Sequence, residues 1–164
     1  MSAFTVAVVR YEEPERSVRR AVEMCRGLDH LPPRAKVVIK PNIVFWTRSV
    51  PFPKWGVVTT TRVVEDVVRL LKERGIDAVT IGEGTVTMTP GDTKTAAHAF
   101  ETLGYGALTR RYGVKCLNVF ERPFAPMDLG DGFKVGFNVD ALESDFIVDL
   151  PVLKSHNQTA VSLG

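Results

Sequence analysis

Residues 35–42 read AKVVIKPN, a short apolar run that closes on a lysine, a proline and an asparagine. Val37, Val38 and Ile39 follow one another without polar residues between them, which is typical of a strand covered on both faces of a parallel sheet. Comparable runs stand at residues 78–81, 114–119 and 146–150, each preceded by a stretch with helical spacing. This alternation predicts an α/β fold with a doubly wound, mainly parallel sheet and helices on both faces.

The expected helices are recognised by apolar residues three and four positions apart. The clearest runs from Val63 to Leu71, and Arg74-Gly75 then supplies the cation and the glycine that commonly end a helix. Further helical stretches are expected over residues 18–28, from about 93 to 112 with a weak point at Gly104-Tyr105-Gly106, and as a short turn over 140–144.

Two further segments carry strand signals. The β-branched run from Phe4 to Val9 predicts a strand at the start of the chain. Residues 125–138, with Gly130-Asp131-Gly132 near their centre, predict a β-hairpin inserted near the end of the sheet. We therefore expect one α/β domain over residues 1–164, either complete or the N-terminal part of a longer domain.

The composition is that of an ordinary globular protein, with 45% hydrophobic residues, 24% charged residues and a net charge of +2. This small charge and the lack of a lysine or arginine block disfavour a nucleic-acid partner. The apolar runs are too short to cross a bilayer and no signal peptide is visible, so we expect a cytoplasmic protein without a membrane partner. Arginine outnumbers lysine and Gln158 is the only glutamine, which weakly favours a thermophilic source.

The chain has two cysteines, Cys25 and Cys116, far apart in the sequence. Two thiolates are too few for an iron–sulfur cluster, which usually needs four, and they show no zinc-binding spacing. We therefore expect two buried, reduced thiols and no cofactor held by this chain.

Several well-known catalytic and nucleotide-binding motifs are missing. The first predicted strand is followed by Arg10-Tyr11-Glu12-Glu13-Pro14 instead of a glycine-rich turn, and no P-loop is present, which disfavours a nucleotide fold. The G-x-S-x-G motif of the α/β-hydrolases is also lacking.

Polar side chains follow three of the predicted strands, where each strand ends. The candidates are Lys40, Asn42, Glu83, Asp149, Lys154, Ser155 and His156. Because ligands bind outside the carboxyl ends of parallel strands, we expect these side chains to share one rim of the sheet. The sequence therefore predicts a site for a small anionic molecule, with Lys40, Asn42 and Ser155 among its ligand-binding residues.

Glu83, Lys154 and His156 are the candidate catalytic residues. Glu83 lies between two glycines, which admit close backbone approach and leave the carboxylate facing the site. Histidine is the side-chain type whose ordinary pKa lies nearest neutrality, so His156 is a candidate acid or base.

The run Thr59-Thr60-Thr61 precedes the clearest helix and adds three ligand-binding candidates. Hydroxyls and free N–H groups at a helix N-terminus suit phosphate or carboxylate. An N-cap with nothing bound is the commoner use of such residues, so both interpretations stand.

Structural alternatives also exist for the other candidates. Lys40 is equally well explained as a lysine that extends to a neighbouring carboxylate, and Asn42 as a turn residue bonded to its own backbone. Glu83 has the alternative of an incidental acid in a tight turn.

Four segments together resemble the domain-of-unknown-function family 362, over essentially the whole chain. They are VVIKPNIV (37–44), VTTTRVVEDVVRLLKERGIDAVTIGEGT (58–85), AFETLGYGALTRRYGV (99–114) and DFIVDLPVLKSHNQTAVSLG (145–164). The most specific part is K-P-N, then G-E-G, then L-K-S-H followed by Thr159, which the resemblance adds to the ligand-binding candidates.

The resemblance also implies partners. Members of that family are commonly fused to, or encoded as, proteins with ferredoxin-type four-iron clusters, so any such cluster is expected on an iron–sulfur partner chain. If the sheet is truncated, its exposed apolar edge favours self-association into a homo-oligomer.

Three functional hypotheses follow. The first is an enzyme, or half of one, that binds a small anionic metabolite at the rim. The second is a non-catalytic ligand-binding or assembly module for an iron–sulfur protein, with the aromatic loop from Phe45 to Trp55 as its docking surface. The third and weakest is metal binding through His156 with Asp149 or Glu83.

Overall fold

The computed structural model describes residues 5–47, 56–87, 89, 91–92, 94–121, 123–156 and 158–162. Its elements, in chain order, are α1 (Arg16–Met24), β1 (Val37–Pro41), α2 (Thr61–Glu73), β2 (Val79–Glu83), α3 (Lys94–Thr102), α4 (Tyr105–Tyr112), β3 (Lys115–Asn118), β4 (Phe124–Asp128), β5 (Lys134–Asn138), α5 (Val139–Leu142), β6 (Phe146–Leu150), β7 (Lys154–His156) and β8 (Ala160–Ser162). None of the described helices combines the length and apolar character needed to cross a membrane.

The central sheet has four parallel strands in the order β3-β2-β1-β6. Strand β1 lies between β2 and β6, so its short apolar run is buried as a continuous run predicts. The parallel sheet flanked by helices confirms the doubly wound α/β class. Because all four strands point the same way, their carboxyl ends form a single rim.

Helices α1 to α4 contribute to one core on one face of this sheet. Val37 and Ile39 of β1 and Ile81 of β2 are buried there in a cluster with Val64 and Leu71 of α2. These alternate strand residues point to the helical face because successive side chains of a strand point to opposite faces. The intervening residues therefore face the other side.

The second face of the sheet is covered by smaller elements. It carries the one-turn helix α5 and the antiparallel hairpin β4-β5. The hairpin confirms the sequence prediction, and its turn has Gly130, Asp131 and Gly132 all at positive φ. Glycine adopts this conformation without strain, which explains the spacing of the two glycines.

The predicted strand at the N-terminus is wrong for the described residues 5–9, while Phe4 lies outside them. These residues have no strand assignment, and Val6 and Val8 are 84% and 91% exposed. A β-branched sequence becomes a strand only where it finds a neighbouring edge to pair with and a surface to pack on. The described part of the chain supplies neither to this segment.

The helices agree with the predicted weak point at Gly104-Tyr105-Gly106, and two smaller differences concern the cysteines and the last strand. The stretch from 93 to 112 divides into α3 and α4 at Gly104, which has a φ of +88°. Both cysteines are free, but Cys25 is half-buried and Cys116 is exposed, because β3 is an edge strand of the sheet. The segment 154–156 does not continue β6 but forms β7, which pairs with β8.

Candidate functional site

Lys40 and Asp149 occupy paired positions on β1 and β6. Both side chains point to the second face of the sheet, and Lys40 Nζ lies 3.5 Å from Asp149 Oδ1. The two side chains are 44% and 42% exposed, so water screens the attraction between them. The predicted carboxylate neighbour of Lys40 is therefore present, but it holds the ammonium loosely.

Glu83 ends β2 and is buried. The backbone N–H of Ile43 donates to its Oε2 at 3.0 Å, and the backbone N–H of Gly84 donates to its Oε1 at 2.8 Å. Burial raises the pKa of the carboxyl, while the two hydrogen bonds and the charge of Lys40 oppose that rise. The carboxylate thus fastens the loop after β1 to the end of β2.

Asn42 and Thr59 hold the loop after β1 against the start of α2. The N–H of Asn42 donates to Thr59 Oγ1 at 2.9 Å, and the N–H of Thr59 donates to the carbonyl of Asn42 at 2.8 Å. Thr59 Oγ1 then donates to the carbonyl of Leu150 at 2.5 Å, at the end of β6. This network joins the ends of two neighbouring strands to the residue just before the N-cap of α2.

Lys154 reaches the same place from β7. Its Nζ donates to the carbonyl of Val57 at 3.1 Å, and Asn42 Nδ2 donates to that carbonyl at 2.8 Å. Burial lowers the pKa of Lys154, the charge of Glu83 raises it, and the charge of Lys40 lowers it further. The two ammonium groups and the buried carboxylate are therefore close enough for their charges to interact.

The other threonines at the start of α2 have different surroundings. Thr60 is the N-cap residue, but its side chain makes no capping hydrogen bond. Thr61 Oγ1 donates to the carbonyl of Leu103, which ties α2 to the end of α3. Thr59 is thus joined to the rim, and Thr61 is joined to the helical layer.

The remaining candidates lie in the β7-β8 hairpin. The backbone N–H groups of Gln158 and Thr159 donate to His156 Nδ1 at 3.2 and 3.3 Å. Thr159 Oγ1 donates to the carbonyl of Val161, and Ser155 is exposed. Among the described residues no hydrogen bond or ion pair joins this group to Lys40 or Glu83.

A pocket on the second face of the sheet opens beside Lys40. It has a volume of about 370 Å³ and is walled chiefly by Phe120, Phe124, Phe137 and Ile147, and Lys40 and Glu83 are among its polar lining residues. We call it the aromatic pocket. Sequence reasoning missed it, although phenylalanines near both ends of a predicted hairpin signal that the hairpin must lie against something.

Comparison with known families bears directly on these residues. The family model described as domain of unknown function (DUF362) matches residues 37–164 of this chain. The chain belongs to this family. The match begins at the first residue of β1, so the segment up to Lys36 and helix α1 lie outside it. All four segments that carried the resemblance fall within the DUF362 region.

Comparison with individual proteins adds no nearer relative. Neither the curated proteins nor the solved structures contain a significant match to this chain. Across the residues that the structure describes, no group of three or more histidine, cysteine, aspartate or glutamate residues is placed to hold a metal ion. The metal hypothesis for His156 with Asp149 or Glu83 therefore gains no support from the geometry.

Proposed function

We propose that the rim of this DUF362 domain binds a small anionic molecule between Lys40 and Lys154. One observation carries the proposal: two ammonium groups from different strands converge on the same rim, and neither has a tight carboxylate partner. Lys154 donates to a backbone carbonyl, and Lys40 is held at 3.5 Å by a half-exposed aspartate. Each ammonium has three donors, so both retain donors for a ligand.

The buried carboxylate nearby does not neutralise the two lysines by direct contact. No ion pair within the described residues joins Glu83 to Lys40 or Lys154, and both Glu83 oxygens accept from backbone N–H groups. The fall in the pKa of Lys154 that Lys40 causes reflects mutual repulsion, which a bound anion would relieve. A bound anion would thus offset the repulsion between the Lys40 and Lys154 ammonium groups.

A catalytic form of the proposal gives proton transfer to Glu83, Lys154 or His156. Lys154 is the favoured candidate, because its pKa is lowered by burial and by the charge of Lys40. If Lys154 transfers the proton, the role of Glu83 is to hold the loop after β1 in place at the rim. An enzyme linked to iron–sulfur redox proteins remains a prediction from the family resemblance.

The test is a titration of the whole chain with acetate and with inorganic phosphate, in which binding is measured from the changes in amide chemical shifts. We expect Lys40→Met and Lys154→Met each to weaken binding by about tenfold, which corresponds to about 1.4 kcal/mol. Lys115→Met is the matched control, because Lys115 is an exposed lysine at the amino end of the same sheet. Unchanged affinity in both rim variants would overturn the proposal.

The alternative is a non-catalytic module that docks an iron–sulfur partner through the aromatic loop. Trp46 Nε1 donates to Thr102 Oγ1 at 2.9 Å and its ring packs against the core, while Trp55 lies outside the described residues. Trp46 is therefore anchored to α3. A pull-down with a purified ferredoxin in which Trp46→Ala and Trp55→Ala changed nothing would count against this alternative.

A further inference from the structure

The aromatic pocket adjoins the proposed anion site, because Lys40 belongs to both. Most of its other lining residues are apolar, and the large apolar side chains come from the segment after β3, the β4-β5 hairpin and β6. Ligand pockets are commonly concave and apolar, with a few polar groups at one end that fix orientation. The aromatic pocket likewise has a mainly apolar lining with a few polar residues, Lys40, Glu83 and Asn138.

The two glycines beside Glu83 shape this pocket. A Cβ on Gly84 would lie 2.7 Å from the ring of Phe120, so only glycine lets that ring close over the end of β2. A Cβ on Gly82 would lie 3.3 Å from Val119 and 3.4 Å from Val38, which is tighter than ordinary packing. Gly82 and Glu83 therefore line the pocket, and Gly84 leaves the space that the Phe120 ring occupies.

The hairpin wall is fixed in place by a buried asparagine. Asn138 Nδ2 donates to the carbonyl of Glu121 at 3.0 Å, and its Oδ1 accepts from the N–H of Ala141 at 3.2 Å. These bonds join the end of β5 to the segment that carries Phe120 and to α5. The phenylalanines of the pocket are thus held by a bonded framework, which gives the pocket a defined shape.

We propose that the ligand is a small anion that carries an aromatic or branched aliphatic body. The body occupies the aromatic pocket, and the anionic group lies at Lys40. This inference rests on the proposed function and specifies its ligand class.

Charge and volume both limit the ligand. Among the lining residues Lys40 would repel an amine, and the Glu83 carboxylate is already engaged by two backbone N–H groups. The Asp149 carboxylate is paired with Lys40 and does not line the pocket. A cavity of about 150 Å³ is enough for a benzene molecule. The aromatic pocket, at about 370 Å³, therefore has room for one ring or two fused rings.

The experiment compares acetate, benzoate, 2-naphthoate and uncharged benzamide as probes, by amide chemical-shift titration of the whole chain. We expect benzoate and naphthoate to bind at least about tenfold more tightly than acetate, because they bury a ring that acetate lacks. Benzamide should bind more weakly than benzoate, and Lys40→Met should remove that difference.

Two pocket variants and one control locate the effect. Gly136→Leu fills the pocket, since a Cβ there meets only Phe124 at an ordinary 3.7 Å, and Phe137→Ala removes one wall. Both should reduce the preference for benzoate over acetate, and Phe137→Ala supplies the result if Gly136→Leu fails to fold. Phe133→Ala is the control, because Phe133 is 72% exposed on the same hairpin and does not line the pocket.

The outcomes separate this inference from the proposed function. If acetate and benzoate bind equally well and both need Lys40, the rim binds anions and the pocket inference is overturned. If benzoate and benzamide bind alike regardless of Lys40, the orientation inferred here is wrong. If no probe depends on Lys40 or Lys154, the proposed function itself fails.

Discussion

Lys40 and Asp149 stand side by side on adjacent parallel strands, with the ammonium and the carboxylate 3.5 Å apart at the exposed end of the sheet. A pair of this kind contributes little to stability, because water screens both charges. It also competes with any anion that approaches Lys40. The pair is therefore better suited to modulating binding than to holding the fold together.

Asp149→Asn should tighten anion binding with almost no change in stability. The substitution removes the carboxylate that competes for Lys40, so we expect acetate affinity to rise by up to about fivefold, while the free energy of unfolding changes by less than about 1 kcal/mol. Chemical-shift titration and urea unfolding measure the two effects. Asp140→Asn makes the same change of charge at the amino end of the sheet, and it should leave acetate affinity unchanged.

Removal of the Glu83 carboxylate should destabilise the fold in two steps. Glu83→Gln leaves one acceptor for the two buried N–H groups of Ile43 and Gly84, and Glu83→Ala leaves none. Each buried donor that loses its acceptor costs about 1–3 kcal/mol. At neutral pH we therefore expect the free energy of unfolding to fall from wild type to Glu83→Gln and again from Glu83→Gln to Glu83→Ala. Urea unfolding gives the order, with the exposed Glu101→Gln as control. Equal stability of the three proteins would contradict the fastening role of Glu83.

The stability difference between wild type and Glu83→Gln should depend on pH. Burial, the largest cause, raises the pKa of Glu83 in the folded chain above its ordinary value. A raised pKa means that the folded chain binds the proton more tightly than the unfolded chain does. The stability gained from this proton is fully present below the ordinary glutamate pKa and is lost as the pH rises through the pKa of Glu83 in the folded chain. The advantage of wild type should therefore be larger at acidic than at neutral pH in urea unfolding at a series of pH values. A difference that grows with pH would show the opposite shift.

Tyr105→Phe should leave stability unchanged or raise it slightly. The Tyr105 hydroxyl is fully buried and has no hydrogen-bond partner among the described residues, so its loss removes an uncompensated desolvation cost of up to about 1 kcal/mol. The edge-to-face contact with Phe100, 5.7 Å between ring centres, is kept. Tyr112→Phe is the matched control, because the Tyr112 hydroxyl donates to Glu65 at 2.7 Å and its loss should cost about 0.5–1.5 kcal/mol. Thermal unfolding of both variants decides between these expectations.

The sheet and its rim could be predicted because they follow from local patterns. Unbroken apolar runs mark buried parallel strands, and parallel strands bring their carboxyl ends to the same edge. Lys40, Glu83 and Asp149 were found in this way. Their hydrogen bonds could not be predicted, because the partners of Glu83 are backbone groups whose positions depend on the path of the loop after β1.

The features that sequence reasoning missed depend on tertiary contacts. The run from Thr5 to Val9 has strand propensity but no neighbouring strand in the described residues. His156 was expected to follow β6 to the rim, but Pro151 stands between them and the chain begins a separate hairpin at Lys154. The aromatic pocket arises only when the β4-β5 hairpin folds onto the sheet, and no local pattern encodes that arrangement.

The carbonyl of Val57 accepts hydrogen bonds from both Asn42 and Lys154, so a central acceptor of the rim belongs to the peptide backbone. Any residue with a compatible backbone conformation supplies the same oxygen. Side-chain scanning at position 57 would therefore report the packing of the Val57 side chain against the core and leave this contact untouched. Replacing the amide that follows Val57 by an ester, which weakens the carbonyl as an acceptor, is the change that would expose how far the placement of Lys154 depends on it.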